Sequence, residues 1–312
     1  MHLQKRYPFV FATVGALLLG FTGCRARAGE VKVEKDVVYG TVQETKLLLD
    51  AYTPDDAAPK HPAIVLVHGG GFLYGDKAFY APMGRRLAAK GYAVFSVNYR
   101  LAPKNRYPAA VDDVQRAVRW LRAHAAAYHL DPDHIGALGD SAGGYLVTML
   151  GTRDTRDNSD ADLAKFSSKV QCVVDLYGPT DFTIPPTTSG VGPQGIFLLT
   201  QFFGKPPEQA VDLYKDGSPI IYVTKASAPF LIVHGTADPL VPPDQSRRLH
   251  DALKAAGVSV TLVELYKYAH GFLNPASPGQ TGLLAEDFLD HNLKAAPVSI
   301  TAPSLEKGSD VR

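Results

Sequence analysis

Five consecutive apolar residues, Ala63-Ile64-Val65-Leu66-Val67, constrain the fold of this chain more than any other segment. A strand with one wet face alternates apolar and polar side chains, so an unbroken apolar run calls for burial on both faces. Strands of that kind lie inside a parallel sheet covered by helices. Residues 92–97 and 170–176 have the same character, and 135–138, 230–233 and 258–265 read as further strands. Two earlier strands, 31–39 and 46–52, are expected to pair antiparallel at one edge. Helical spacing runs through 109–126, where Val111, Val114, Val118 and Leu121 share a side, and again through 245–256 and 283–293. Alternating strands and helices argue for an α/β fold with a mostly parallel central sheet of about eight strands. Functional groups in such sheets gather at the carboxyl ends of the strands.

With 312 residues, 46% of them hydrophobic, the chain can bury one large core or two small ones. Its 32 basic and 31 acidic side chains leave a net charge of +1 with no basic run. That balance excludes electrostatic recruitment to nucleic acid or to an anionic membrane surface, and points to an enzyme acting on small molecules or polymers. The two cysteines, Cys24 and Cys172, form neither a disulfide framework nor a zinc-like spacing. Cys172, in Gln171-Cys172-Val173-Val174, reads as a small buried hydrophobe.

The N-terminus reads as an export signal over 1–28. Lys5 and Arg6 precede an apolar run over 9–21, which is 13 residues long and falls short of the ~20 needed to span a bilayer. Phe21-Thr22-Gly23-Cys24 resembles a bacterial lipobox, which would leave an acylated Cys24 as the first mature residue and as the membrane anchor. Ala26-Arg27-Ala28 fits the A-x-A rule of ordinary signal peptidase instead. Either reading places the protein outside the cytoplasm: in the periplasm, outside the cell, or lipid-anchored to the envelope. A single α/β domain over 29–295 follows, with a Pro-, Gly-, Ser- and Thr-rich insertion at 182–217 and a loose tail at 296–312. Phe197, Leu198, Leu199, Phe202 and Phe203 suit a short helix in that insertion, acting as a lid or patching the core.

Gly139-Asp140-Ser141-Ala142-Gly143 matches G-x-S-x-G between a strand and the helix-compatible segment 144–150. A nucleophilic serine must project from a sharp strand-to-helix turn, and the flanking glycines remove side chains that would collide there. Ser141 is therefore the candidate nucleophile. His68-Gly69-Gly70-Gly71-Phe72 follows the apolar strand, and its glycine amides can face a substrate oxygen. Gly69 and Gly70, with Ala142, are the expected oxyanion donors, and His68 and Gly71 support the loop. No G-K-[ST] follows, which argues against a phosphate loop.

These motifs, together with Asn98-Tyr99-Arg100-Leu101-Ala102-Pro103, resemble the hormone-sensitive-lipase-like esterases. They are also similar to the bacterial feruloyl/acetyl-xylan-type esterases of the same superfamily, over residues from about 63 to 270. The resemblance implies the α/β-hydrolase fold, with its lid-like insertion, and ester hydrolysis by a serine.

The order Ser, acid, His expected of this fold selects His270, in Tyr268-Ala269-His270-Gly271-Phe272 just past a strand, as the base. His234 is its competitor, although similar proteins carry a structural histidine there; His250 and His291 sit on helices. Asp238 follows the strand 230–233 and is the candidate acid, with Asp244 and Asp181 as alternatives that suit caps or turns. Asp140 points elsewhere on its turn and is not that acid. Phe72, Tyr74, Asp140 and Tyr177 are candidate substrate-pocket residues, the aromatic ones equally suited to filling a core. This chemistry needs neither metal nor organic cofactor. Its partner is a small-molecule or carbohydrate ester, acylated with short chains or with acetyl or feruloyl groups. A peptidase or amidase, and a non-catalytic binding protein of the same fold, are the rivals. Of the two cleavage readings, the lipoprotein one predicts an acylated Cys24 as the mature N-terminus; an intact mass corresponding to an unmodified start at Gly29 refutes it.

Overall fold

The computed structural model describes residues 30–294 apart from 57, 59, 186, 187, 189 and 278. The expected export signal at 1–28, with Cys24, and the tail at 296–312 lie outside the described residues. The chain opens with the strands β1 (Val31–Val42) and β2 (Thr45–Pro54), joined through Gln43 and Glu44. Both turn residues have positive φ, 45° and 65°, the backbone that lets a two-residue hairpin keep the strand twist. Then come β3 (His61–Val67), α1 (Ala81–Ala88), β4 (Ala93–Val97), α2 (Ala109–Ala123), β5 (Leu130–Asp140) and α3 (Ala142–Thr152). They are followed by β6 (Cys172–Leu176), α4 (Pro193–Phe203), α5 (Val211–Asp216), β7 (Phe230–Gly235), α6 (Asp244–Ala255), β8 (Val260–Leu265) and α7 (Gly279–Leu293).

The described strands form one eight-stranded sheet in the order β1-β2-β4-β3-β5-β6-β7-β8. β2 runs antiparallel to both its neighbours, and every pair from β4 to β8 is parallel. This is the α/β-hydrolase arrangement expected from the sequence. The apolar pentad occupies β3, and its side chains divide between two cores. Ala63, Val65 and Val67 belong to the core that also holds Val111, Val114 and Leu121 of α2 and Leu249 of α6. Ile64 and Leu66 pack with Met83 and Leu87 of α1 and with Leu289 and Leu293 of α7. Burial on both faces thus accounts for the missing polar alternation.

The insertion is tied to the body. Phe202 stacks on Phe72 with ring centroids 3.8 Å apart, and Phe203 lies 4.1 Å from Tyr214. Asp216 at the end of α5 pairs with Arg153 and accepts hydrogen bonds from Tyr107 and Tyr222. The two readings of 182–217 therefore divide along one helix: the C-terminal end of α4 patches the core, while Leu198 and Leu199 face a cavity described below.

Among the described buried polar residues, one carboxylate stands in the middle of the sheet without a cationic partner. Asp175 in β6 is fully buried opposite Gly139, accepts the N–H of Gly178 at 2.9 Å, and leaves Oδ2 without a partner among the described residues. Burial pushes its carboxyl from 3.8 up to about 6, against the Gly178 hydrogen bond. The folded state therefore holds this proton more tightly than the unfolded chain. The associated stability is full below pH ~4 and lost as pH rises through ~6. Asp175→Asn cannot suffer that loss, so its Tm relative to wild type should climb between pH 4.5 and 7.5; a difference independent of pH contradicts the assignment.

Candidate active site

The turn between β5 and α3 consists of one residue. Ser141 has φ 52° and ψ −117°, a conformation that a non-glycine residue adopts only when its surroundings impose it. Its N–H donates to Leu176 of the neighbouring strand at 2.8 Å, and its carbonyl accepts from Tyr145 at 3.0 Å. Gly143 makes the turn sterically feasible: a Cβ there would lie 2.0 Å from the carbonyl oxygen of Val67. The helix can thus start directly against the end of β3.

His270 comes from the loop after β8. Its Nε2 is 2.8 Å from Ser141 Oγ and its Nδ1 is 2.6 Å from Asp238 Oδ2. Asp238, from the loop after β7, accepts the N–H groups of Leu240 and Val241 on Oδ1, both at 2.9 Å. Burial alone would raise its pKa, but hydrogen bonds from His234, His270 and Val241 outweigh it and hold the carboxyl well below its ordinary value. An ionised Asp238 fixes the hydrogen of His270 on Nδ1, which leaves Nε2 free to accept from the serine hydroxyl. His234 meets Asp238 and not Ser141: its Nε2 lies 3.2 Å from Asp238 Oδ2. The alternative acids are occupied elsewhere. Asp244 pairs with Arg248, and Asp181 caps Thr183. His250 contacts Asp251, and His291 is exposed on α7.

The glycine loop requires a correction. The N–H of Gly69, expected to bind substrate, donates instead to Asp140 Oδ1 at 3.0 Å. The N–H groups of Gly70, Gly71 and Ala142 have no acceptor among the described residues. Gly71, read as support, therefore has a free N–H where Gly69 has none. Gly70 has φ 109°, and a Cβ there would sit 2.2 Å from the carbonyl oxygen of Tyr74, so the loop tolerates no side chain at this point. His68 supports the loop, as expected. Its buried ring stacks on Tyr99 at 4.6 Å, its Nδ1 is 2.8 Å from the carbonyl of Gly69, and burial lowers its pKa toward the neutral form.

A cavity beside Ser141 is walled by Phe72, Phe182, Leu198, Leu199, Leu240 and Val241, with Gly71 and Ala142 at its edge. Its polar lining includes Gln245, whose amide is spent on the backbone of Thr180 and Asp181. Of the four residues expected to line a pocket, only Phe72 does. Tyr74 is 70% exposed at the surface. Tyr177 is buried with its ring 4.9 Å from that of His270, backing the imidazole. Asp140 is buried under the glycine loop, where it also accepts the hydroxyl of Tyr80 at 2.7 Å. Burial raises the Asp140 carboxyl against those two hydrogen bonds. Phe182, Leu240 and Val241 carry no local signal of their place; only the fold brings them to Ser141.

Comparison with known proteins finds ester hydrolases. The BD-FAE family model matches residues 49–253. The probable carboxylic ester hydrolase LipM of Mycobacterium tuberculosis is 32% identical over 260 residues, which cover 81% of this chain and 60% of LipM. The chain thus spans about three fifths of that relative's length. Among solved structures, the butyrate-bound esterase Est2 of Thermogutta terrifontis superposes with a TM-score of 0.71 at 30% identity, covering 86% of this chain and 96% of that one. A truncated carbohydrate esterase from gut microbiota gives 0.72 at 27% identity, covering 86% and 98%.

The contact between Asp140 and Gly69 yields a test of how the glycine loop is held. Asp140→Ala should slow labelling of Ser141 by a fluorophosphonate about tenfold. Asp140→Asn, which keeps an oxygen for the Gly69 N–H, should label at close to the wild-type rate. Equal rates for all three proteins, followed by mass spectrometry, exclude a role for the contact.

Proposed function

The chain belongs to the BD-FAE family of α/β-hydrolase serine esterases, and from that premise we propose that it hydrolyses carboxylic esters with Ser141 as nucleophile, His270 as general base and Asp238 as orienting acid. One observation carries the reading: the continuous contact from Ser141 Oγ through His270 to Asp238, at 2.8 and 2.6 Å, opening beside an apolar cavity.

The reaction follows from that contact. His270 Nε2 takes the hydroxyl proton as Ser141 Oγ bonds to the ester carbonyl carbon. Asp238 stabilises the imidazolium that results. The carbonyl oxygen becomes an oxyanion, which the free N–H groups of Gly70, Gly71 and Ala142 are placed to receive; one such donor is typically worth ~2.7–4 kcal/mol. Collapse breaks the bond to the alcohol, which leaves with the proton held on His270, and the acyl group stays on Ser141. Water then gives a proton to His270, attacks the acyl-enzyme and releases the acid and the free serine.

The apolar cavity walls favour an aliphatic acyl group over a polar one. Est2 was solved with butyrate, and a second structural neighbour is a carbohydrate esterase. Short-acyl esters, acetylated carbohydrates among them, are the substrates we infer. Export, inferred from the N-terminal run, brings the enzyme to such esters outside the cytoplasm.

Ser141→Ala should lower turnover of p-nitrophenyl butyrate by roughly 10⁴-fold or more. Across acetyl, butyryl, long-acyl and feruloyl esters, kcat/KM should be highest for acetyl or butyryl. Wild-type turnover by Ser141→Ala refutes the assignment of the nucleophile, and a preference for long-acyl or feruloyl esters refutes the acyl class.

A further inference from the structure

The acid of the site is held by two histidines. His234 is the penultimate residue of β7, four before Asp238, and its side chain is fully buried. Both ring nitrogens are engaged. Nδ1 is 2.6 Å from the hydroxyl of Ser246 on α6, and Nε2 is 2.9 Å from the carbonyl oxygen of Val241 and 3.2 Å from Asp238 Oδ2. A carbonyl oxygen can only accept, so the hydrogen of the neutral ring is on Nε2, and Nδ1 accepts from Ser246. One tautomer is thereby fixed from both sides.

This leaves Asp238 with donors on both oxygens. Oδ1 takes the N–H groups of Leu240 and Val241; Oδ2 lies between the Nδ1 of His270 at 2.6 Å and the Nε2 of His234 at 3.2 Å. The carboxylate cannot rotate without losing several of these at once. Sharing Oδ2 also tempers how strongly it pulls on the proton of His270, because a second donor draws on the same oxygen. The charged groups facing His234 are Asp238 and, from β6, Asp175; Ser246 faces it from α6.

We propose that His234, held by Ser246, is a positioning residue that sets both the orientation of Asp238 and its pull on His270. The proposal rests on the ester hydrolysis assigned above to Ser141, His270 and Asp238.

Two polar substitutions separate this role from simple packing. In His234→Gln the amide N–H reaches about as far as Nε2 and can still meet Val241 and Asp238. In His234→Asn it reaches only as far as Nδ1 and leaves both without that donor. With p-nitrophenyl butyrate, His234→Asn should lose kcat about tenfold or more with KM within about twofold of wild type. The acid limb of its kcat/KM profile should move to higher pH, since Asp238 then binds the proton of His270 more tightly. His234→Gln should keep kcat within about threefold of wild type and leave the limb in place. Ser246→Ala leaves the ring present but free on one side, so it serves if His234→Asn does not fold; kcat should drop with KM unchanged.

Wild-type kcat in both His234→Asn and Ser246→Ala overturns the proposal. So does an equal loss of kcat in Asn and Gln variants with an unmoved acid limb, the pattern of a purely structural residue. Failure of the wild-type enzyme on every ester counts against the hydrolase reading itself; activity indifferent to these substitutions counts only against His234.

Discussion

The site depends on the backbone of a single residue. Ser141 has φ 52° because β5 ends and α3 begins on either side of it, with no loop between. The register of β3 against β5 sets Val67 beside Gly139, so the strand that delivers the serine and the strand that delivers the glycine loop finish side by side. Helix α3 then starts against the last carbonyl of β3, at a separation only glycine at 143 permits. Gly71 and Ala142, from two different parts of the chain, line one cavity with Ser141 as a result. Strain at Ser141 is offset by the hydrogen bond from its N–H to Leu176 and by the packing of a fully buried helix.

Two aspartates near that turn show how environment separates chemically identical groups. Both are buried, and burial opposes charge on each. Asp238 receives donors on both oxygens, imidazoles included, and stays ionised far below the ordinary range. Asp140 receives a phenol and one amide, and its carboxyl is raised. Asp140 is the more strongly desolvated and has the fewer donors, so environment and donors act in the same direction on the pair. Only the first group is suited to stabilising an imidazolium; the second is suited to holding a loop.

Much of this was legible in the sequence because it is local. The apolar pentad declares a two-faced strand, G-x-S-x-G needs five adjacent residues, and the order of serine, acid and histidine follows the order of strands. What could not be read depends on contacts between distant segments. Gly69 looked as free to bind an oxyanion as its neighbours, and its amide is taken by a carboxylate 71 positions away. Tyr177 and Tyr74 look alike as aromatic residues near motifs. The fold presses one against the imidazole of His270 and turns the other to solvent. Asp131, Pro132, Asp133 and His134 hid the first part of β5: they fall in a register shift between the pairs of Leu130 and Ile135 with β3, and Asp133 and His134 are exposed.

The insertion helix α4 unites two duties that are usually assigned to different elements. Phe202 and Phe203 at one end are buried in the aromatic core, while Leu198 and Leu199 one turn earlier form cavity wall. Evolution can therefore reshape what the cavity admits by changing side chains at 198 and 199, with the backbone anchored a few ångströms away. Substitution at 202 has no such latitude, because Phe202 stacks on Phe72, the residue that follows the glycine loop. The boundary between cavity wall and buried scaffold falls within a single turn of helix.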